Sequence, residues 1–113
     1  VENLIHRAEK GELKILIPSI VIAELIWVLE SFYQLKADDI AELVEAIIST
    51  PGFDITDKKM IISAVKLSGT DTIDFIDAWI IEFAKERDVN TIYTFDKKHF
   101  RDVEGITTKS PQQ

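Results

Sequence analysis

Apolar positions along this chain keep two rhythms, and the change between them marks its centre. From Ile15 to Leu29 they run almost without a break, interrupted only by Pro18-Ser19 and by one acid, Glu24. A membrane span needs about 20 uninterrupted apolar residues, so the length, the Pro-Ser break and the carboxylate exclude one. The stretch reads instead as a buried strand over Leu13–Ile17, a tight turn, and a buried helix capped by Ser19 and running to about Leu35. A helix apolar on nearly every face must be covered on nearly every face, which places it at the centre of the domain. Glu24 then needs an explanation, because burial disfavours a charged carboxylate that is not paired, protonated or bound to a cation.

Elsewhere the pattern is periodic. Glu2–Lys10 predicts a short amphipathic helix with Leu4, Ile5 and Ala8 on one face, stopped by Gly11. Asp39 and Glu42 have capping-box spacing, and Ile40, Leu43, Val44, Ile47 and Ile48 continue in helical register until Pro51-Gly52. Phe53–Thr56 alternates as a short strand, and Asp57 caps a helix through Leu67 closed by Gly69. Asp74, with Asp77 three residues on, opens a helix whose inward face is Ile76, Ile80, Phe83 and Ala84. Asp88-Val89-Asn90 turns the chain, and Thr91–Phe95 is a β-branched and aromatic strand ending at Asp96. A polar turn with Lys97, Lys98, His99 and Arg101 precedes a weak strand near Gly105–Thr107. Strands separated by helices predict right-handed crossovers, hence an α/β fold of three layers, α/β/α, around a mostly parallel central sheet.

Composition narrows this further. The 113 residues make one domain, 1–113, with no internal linker or repeat, and only Thr107–Gln113 has the composition of a disordered tail. The absence of Cys removes thiol catalysis, thiolate zinc sites and disulfides, and fits a cytoplasmic protein. Nothing at the start resembles a signal peptide, although the chain opens at Val1 in mid-helix pattern. Twenty acidic against thirteen basic residues give a net charge of −7, which argues against broad phosphate binding.

That acidity draws attention to three residues. In open parallel sheets, sites form outside the carboxyl ends of the strands. Asp96 closes one strand, Glu24 lies in the helix leaving another, and Asp77 sits in a first helical turn, where the helix dipole favours negative charge. Two carboxylates about 4 Å apart repel by roughly 4 kcal/mol at an effective dielectric of 20, so a cluster of three calls for a cation. Hard oxygen donors without Cys or paired His suit Mg²⁺ or Mn²⁺, which polarise a phosphoryl oxygen and activate water. His6 and His99 are too far apart for a His-based metal site. Each acid alone also has an ordinary reading: Glu24 as a helix edge or ion-pair partner, Asp77 as a cap, Asp96 as turn chemistry. Lys97, Lys98, His99 and Arg101 read as a solvated turn or, beside the acids, as phosphate contacts.

Three segments carry a family resemblance: Ile17-Pro18-Ser19 through Ala23-Glu24-Leu25, Asp74-Phe75-Ile76-Asp77-Ala78, and Thr94-Phe95-Asp96-Lys97-Lys98-His99-Phe100. In this order and spacing the chain resembles the PIN domain from about Val1 to Ile106, and most of all the VapC-type toxins of toxin–antitoxin pairs. The resemblance implies a metal-dependent ribonuclease in which Glu24, Asp77 and Asp96 match three of four acidic positions and Thr94 the hydroxyl residue two before the last. It also implies an inhibitory antitoxin partner and a homodimer. The fourth acid belongs to an opening strand ending in Asp that this sequence does not contain. Either that strand precedes Val1 or the chain is a degenerate member; Val1–Lys10, which looks like the helix following it, favours the first. The resulting expectation is an Mg²⁺- or Mn²⁺-dependent endoribonuclease acting on RNA without membrane contact. The alternatives are a non-catalytic interaction module on the same scaffold and, with less support, a phosphoacceptor domain. Trp27, Phe32, Tyr33 and the stripe Ile40, Leu43, Val44, Ile47 supply apolar surface for a second subunit or an antitoxin helix.

Overall fold

The computed structural model describes residues 2–71, 73–95 and 105–111. Its elements follow in the order α1 (Glu2–Glu9), β1 (Ile15–Ile17), α2 (Ser19–Ser31), α3 (Ala37–Ile48), β2 (Phe53–Ile55), α4 (Lys58–Asp71), α5 (Phe75–Glu86), β3 (Thr91–Tyr93) and β4 (Thr107–Lys109). The mixed α/β architecture and the parallel pairing agree with the sequence pattern. The strands form two parallel pairs: β1 with β2, registering Ile15 on Phe53 and Ile17 on Ile55, and β3 with β4, registering Thr91 on Thr107. β4 lies where composition suggested a disordered tail; its pairing to β3 supplies the backbone partners that composition does not reveal.

The main core gathers Ile22 and Ile26 of α2, Ile40 and Val44 of α3, Ile55 of β2, Ile61 and Ala64 of α4, and Phe75 and Ala78 of α5. A smaller core forms around Ile81, with Leu67, Ile73, Ile92 and Ile106 packed on it. The radius of gyration is 16.2 Å, against about 13 Å for a compact domain of this length, which agrees with a core divided in two.

Several predicted details change. Only Ile22 and Ile26 of α2 are buried, while Ile20, Val21, Leu25 and Trp27 are exposed, so this helix is a wall of the domain and not its centre. Among the described residues, α3 and α5 are the helices it packs against most. Pro18 occupies its N-cap position, and Ser19 is the first helical residue; the Ser19 hydroxyl donates to Asp57 Oδ2 (2.9 Å) instead of capping. α2 stops at Ser31, short of Leu35, and Gln34 takes a positive φ of 54°. α3 starts after Lys36, leaving Asp39 inside the first turn and not at the cap. Asp57 also adopts a positive φ, and α4 runs through Gly69, which is no stop.

In α5 the buried face is Phe75, Ala78, Ile81 and Ala84, whereas Ile76, Ile80 and Phe83 are exposed. Both faces of α5 are apolar, so periodicity did not say which one faces inward. Gly52, at φ +84°, makes the turn from α3 into β2 directly under α1. A Cβ there would overlap the Ala8 carbonyl, and Ala8 is buried.

Candidate functional site

The carboxyl ends of β1 and β2 carry a polar turn. The Ser19 N–H donates to Thr56 Oγ1 (2.8 Å) and its hydroxyl to Asp57, joining the start of α2 to the start of α4. From here α2 passes along α5. Ser19, Ile20 and Ala23 share a cleft of ≈ 270 Å³ with Ile76, Trp79 and Ile80, while Glu30, near the other end of α2, reaches the first residue of α5.

The start of α5 brings together acids from two parts of the chain. A helix N-terminus leaves four N–H groups without intrahelical partners. Asp74 sits at the N-cap with extended backbone, and its Oδ1 accepts the Asp77 N–H at 3.0 Å, as the spacing predicted. Glu30 Oε2 accepts the Phe75 N–H at 3.1 Å. Burial pushes the Glu30 carboxyl above the usual carboxylate range; the Phe75 hydrogen bond pulls it down, and the charges of Asp74 and Asp77 push it up again. Glu30 and Asp74 line a cleft of ≈ 240 Å³ whose other walls are mostly apolar, including Ile26, Leu35, Val65 and Ile73.

The acids singled out by sequence are placed as follows. Asp77 is half-buried in the first turn of α5. Glu24 is exposed on α2 among Ile20, Val21, Leu25 and Trp27, so burial is not what it needs to have explained. Asp96 lies outside the described residues, as do Lys97, Lys98, His99 and Arg101. Thr94 is half-buried, and its N–H donates to the Lys109 carbonyl (2.9 Å) beyond the end of β3.

The acid that the structure brings to Asp77 is Glu30, which sequence reasoning passed over. Its signal was helical phase. Ile22 and Ile26 point inward, and Glu30 follows Ile26 by four residues on the same face, whereas Glu24 falls two residues from each, on the opposite side.

Comparison with known proteins places this chain in a family. The sequence model of the PIN domain matches residues 1–106. The chain belongs to the PIN-domain family. It is similar to a VapC ribonuclease of Aquifex aeolicus (strain VF5), with 31% identity over 106 residues, 94% of this chain and 76% of that protein. Among the described residues, the mixed α/β arrangement with parallel strands and five helices is consistent with the PIN fold.

The PIN family also raises the question of a cation, which the donor set answers in part. The acids around α5 offer only hard oxygen donors, and their mutual repulsion at Glu30 is of the kind a divalent cation relieves. Among the described residues no group of three or more His, Cys, Asp or Glu is arranged to hold a metal. Two of the carboxylate oxygens, Glu30 Oε2 and Asp74 Oδ1, are already engaged by backbone N–H groups. No helix among the described residues is long and apolar enough to cross a membrane.

Proposed function

We propose that this PIN domain is an Mg²⁺- or Mn²⁺-dependent endoribonuclease, the toxin of a toxin–antitoxin pair. The observation that carries the reading is Asp77 in the first turn of α5, with Asp74 and Glu30 close by, in a chain similar to a VapC ribonuclease. Asp77, Glu24 and Asp96 are the proposed cation ligands and catalytic acids. When bound, the cation would supply Lewis-acid polarisation of a phosphoryl oxygen and a water of lowered pKa. The chain's own part is to orient these oxygens. Asp74 fixes the first turn of α5 through the Asp77 N–H, so the Asp77 side chain leaves a backbone already held in place.

RNA is the proposed substrate and an antitoxin the proposed partner. An acidic protein of net charge −7 gains little from long-range attraction to RNA, so substrate would be held near the cation and not by a broad basic surface. The exposed apolar residues of α2 and its C-terminal turn, Ile20, Trp27, Phe32 and Tyr33, suit a second subunit or an amphipathic antitoxin helix. The same exposed apolar surface favours a second reading: a PIN domain that binds a protein without cleaving RNA.

Cleavage of a defined RNA by the full-length protein, with Mg²⁺, with Mn²⁺ and with chelator, separates the two. The nuclease reading expects cleavage that chelator abolishes and that Asp77→Asn removes while the fold survives. Full activity in Asp77→Asn, or cleavage indifferent to chelator, overturns it.

A further inference from the structure

Two carboxylates from different parts of the chain cap α5. Asp74 belongs to the turn it caps, but Glu30 comes from α2, 45 residues away. Its acceptor oxygen takes the N–H of Phe75, the first helical residue. Phe75 is itself immobilised: it is 1% exposed and packs in the main core, with the Trp79 ring 6.0 Å away centroid to centroid. The hydrogen bond therefore ties one defined point of α2 to the start of α5, two residues before Asp77.

We propose that Glu30 is a positioning residue: by holding the Phe75 N–H it fixes the first turn of α5, and through that turn sets where the Asp77 carboxylate meets a divalent cation. This rests on the reading of Asp77 as a cation ligand. A helix end held only by its own N-cap can fray, carrying with it the side chains of its first turn. A second acceptor anchored on another helix resists that, and a charged acceptor makes the stronger hydrogen bond. Glu30 sits half-buried in the mostly apolar cleft walled by α2, α3, α4 and the start of α5, where apolar neighbours and the charges of Asp74 and Asp77 all disfavour its charge. What favours the carboxylate there is the Phe75 N–H. Its Oε2 is engaged with backbone, and the proposed effect on a cation passes through Asp77 without Glu30 coordination.

The proposal separates into two measurements on the full-length protein: hydrogen exchange at the Phe75 amide by NMR, and Mn²⁺ binding by calorimetry. Glu30→Met keeps the length of the side chain but removes the acceptor, and Glu30→Ala serves if Met does not fold. Glu30→Gln keeps an acceptor without charge. In Glu30→Met, Phe75 exchange should quicken roughly tenfold, the scale of one lost hydrogen bond. Mn²⁺ affinity should fall about tenfold, as when an outer partner of a metal ligand is removed. Glu30→Gln should restore both to within about twofold of wild type, since its amide oxygen can accept the same N–H. Asp77→Asn should lose Mn²⁺ binding while leaving Phe75 exchange unchanged.

Unchanged exchange in Glu30→Met overturns the proposal. So does faster exchange with unaltered Mn²⁺ affinity, which would make Glu30 a structural cap only. Loss of Mn²⁺ in Glu30→Gln as complete as in Asp77→Asn would overturn it too, by making Glu30 a ligand. A wild-type protein that binds no Mn²⁺ overturns the cation reading itself, and the Phe75 exchange comparison then still decides whether Glu30 fixes the turn.

Discussion

At the scale of single residues, the firmest constraint is at Gly52. Its positive φ and the Ala8 carbonyl beneath it leave no room for a side chain. Gly52→Ala should cost more than about 2 kcal/mol in chemical denaturation, because strain and overlap add. Gly11, also at positive φ but with open space around it, should lose less on the same substitution. Glu30 gives a prediction with a sign. Its carboxyl titrates higher in the folded chain than in the unfolded one, so the folded state binds the extra proton. The contribution to stability is thus fully present below about pH 4.3, the unfolded glutamate value, and is lost as pH rises through the folded one. Melting curves from pH 4 to 7 should show wild type losing ground steadily to Glu30→Gln. Asp77→Asn should raise the cation-free melting temperature modestly, by the equivalent of about 0.5 kcal/mol, since it removes one of the charges acting on Glu30.

At the scale of elements, α5 tests the capping argument. Asp74→Ala should cost about 1 kcal/mol and fray the first turn, while Asp74→Asn, which keeps an acceptor, should cost little; circular dichroism with thermal melts reads both. This cap was legible because Asp74 and Asp77 sit at the spacing that lets a side chain reach the N–H three residues on. Legible too were Pro51-Gly52 as a helix end, the turn at Asp88 and the parallel pairing, each set by local backbone chemistry or by the alternation of strands and helices. Burial was not. α2 and α5 are apolar around most of their circumference, so hydrophobicity could not choose the inward face, and the choice fell to packing against α3 and α4. The same ambiguity hid Glu30. An acid on the inward face of an all-apolar helix looks like any other acid until the neighbouring helix offers it an N–H.

At the scale of the whole molecule, the surface is both acidic and unusually apolar. Trp27, Phe32 and Tyr33 are more than half exposed, and Leu43 stands out from the α3 stripe whose Ile40 and Val44 are buried. If these residues meet a second subunit, Trp27→Glu should leave monomer stability within about 0.5 kcal/mol, as for other surface changes, while lowering the sedimentation coefficient from dimer to monomer. An unchanged profile would assign the surface to a different partner. The division of the core has its own consequence for how the protein comes apart. The β3–β4 pair rests on the small cluster around Ile81, and of the described residues Leu67 and Ile73 touch both clusters. Cooperativity between the halves passes through few side chains. Both tryptophans, Trp27 and Trp79, lie on the larger half, so their fluorescence would be blind to an early loss of the smaller one. A urea titration followed by tryptophan emission and by far-ultraviolet dichroism should then give two midpoints, and trimming Leu67 to Ala should widen the gap between them.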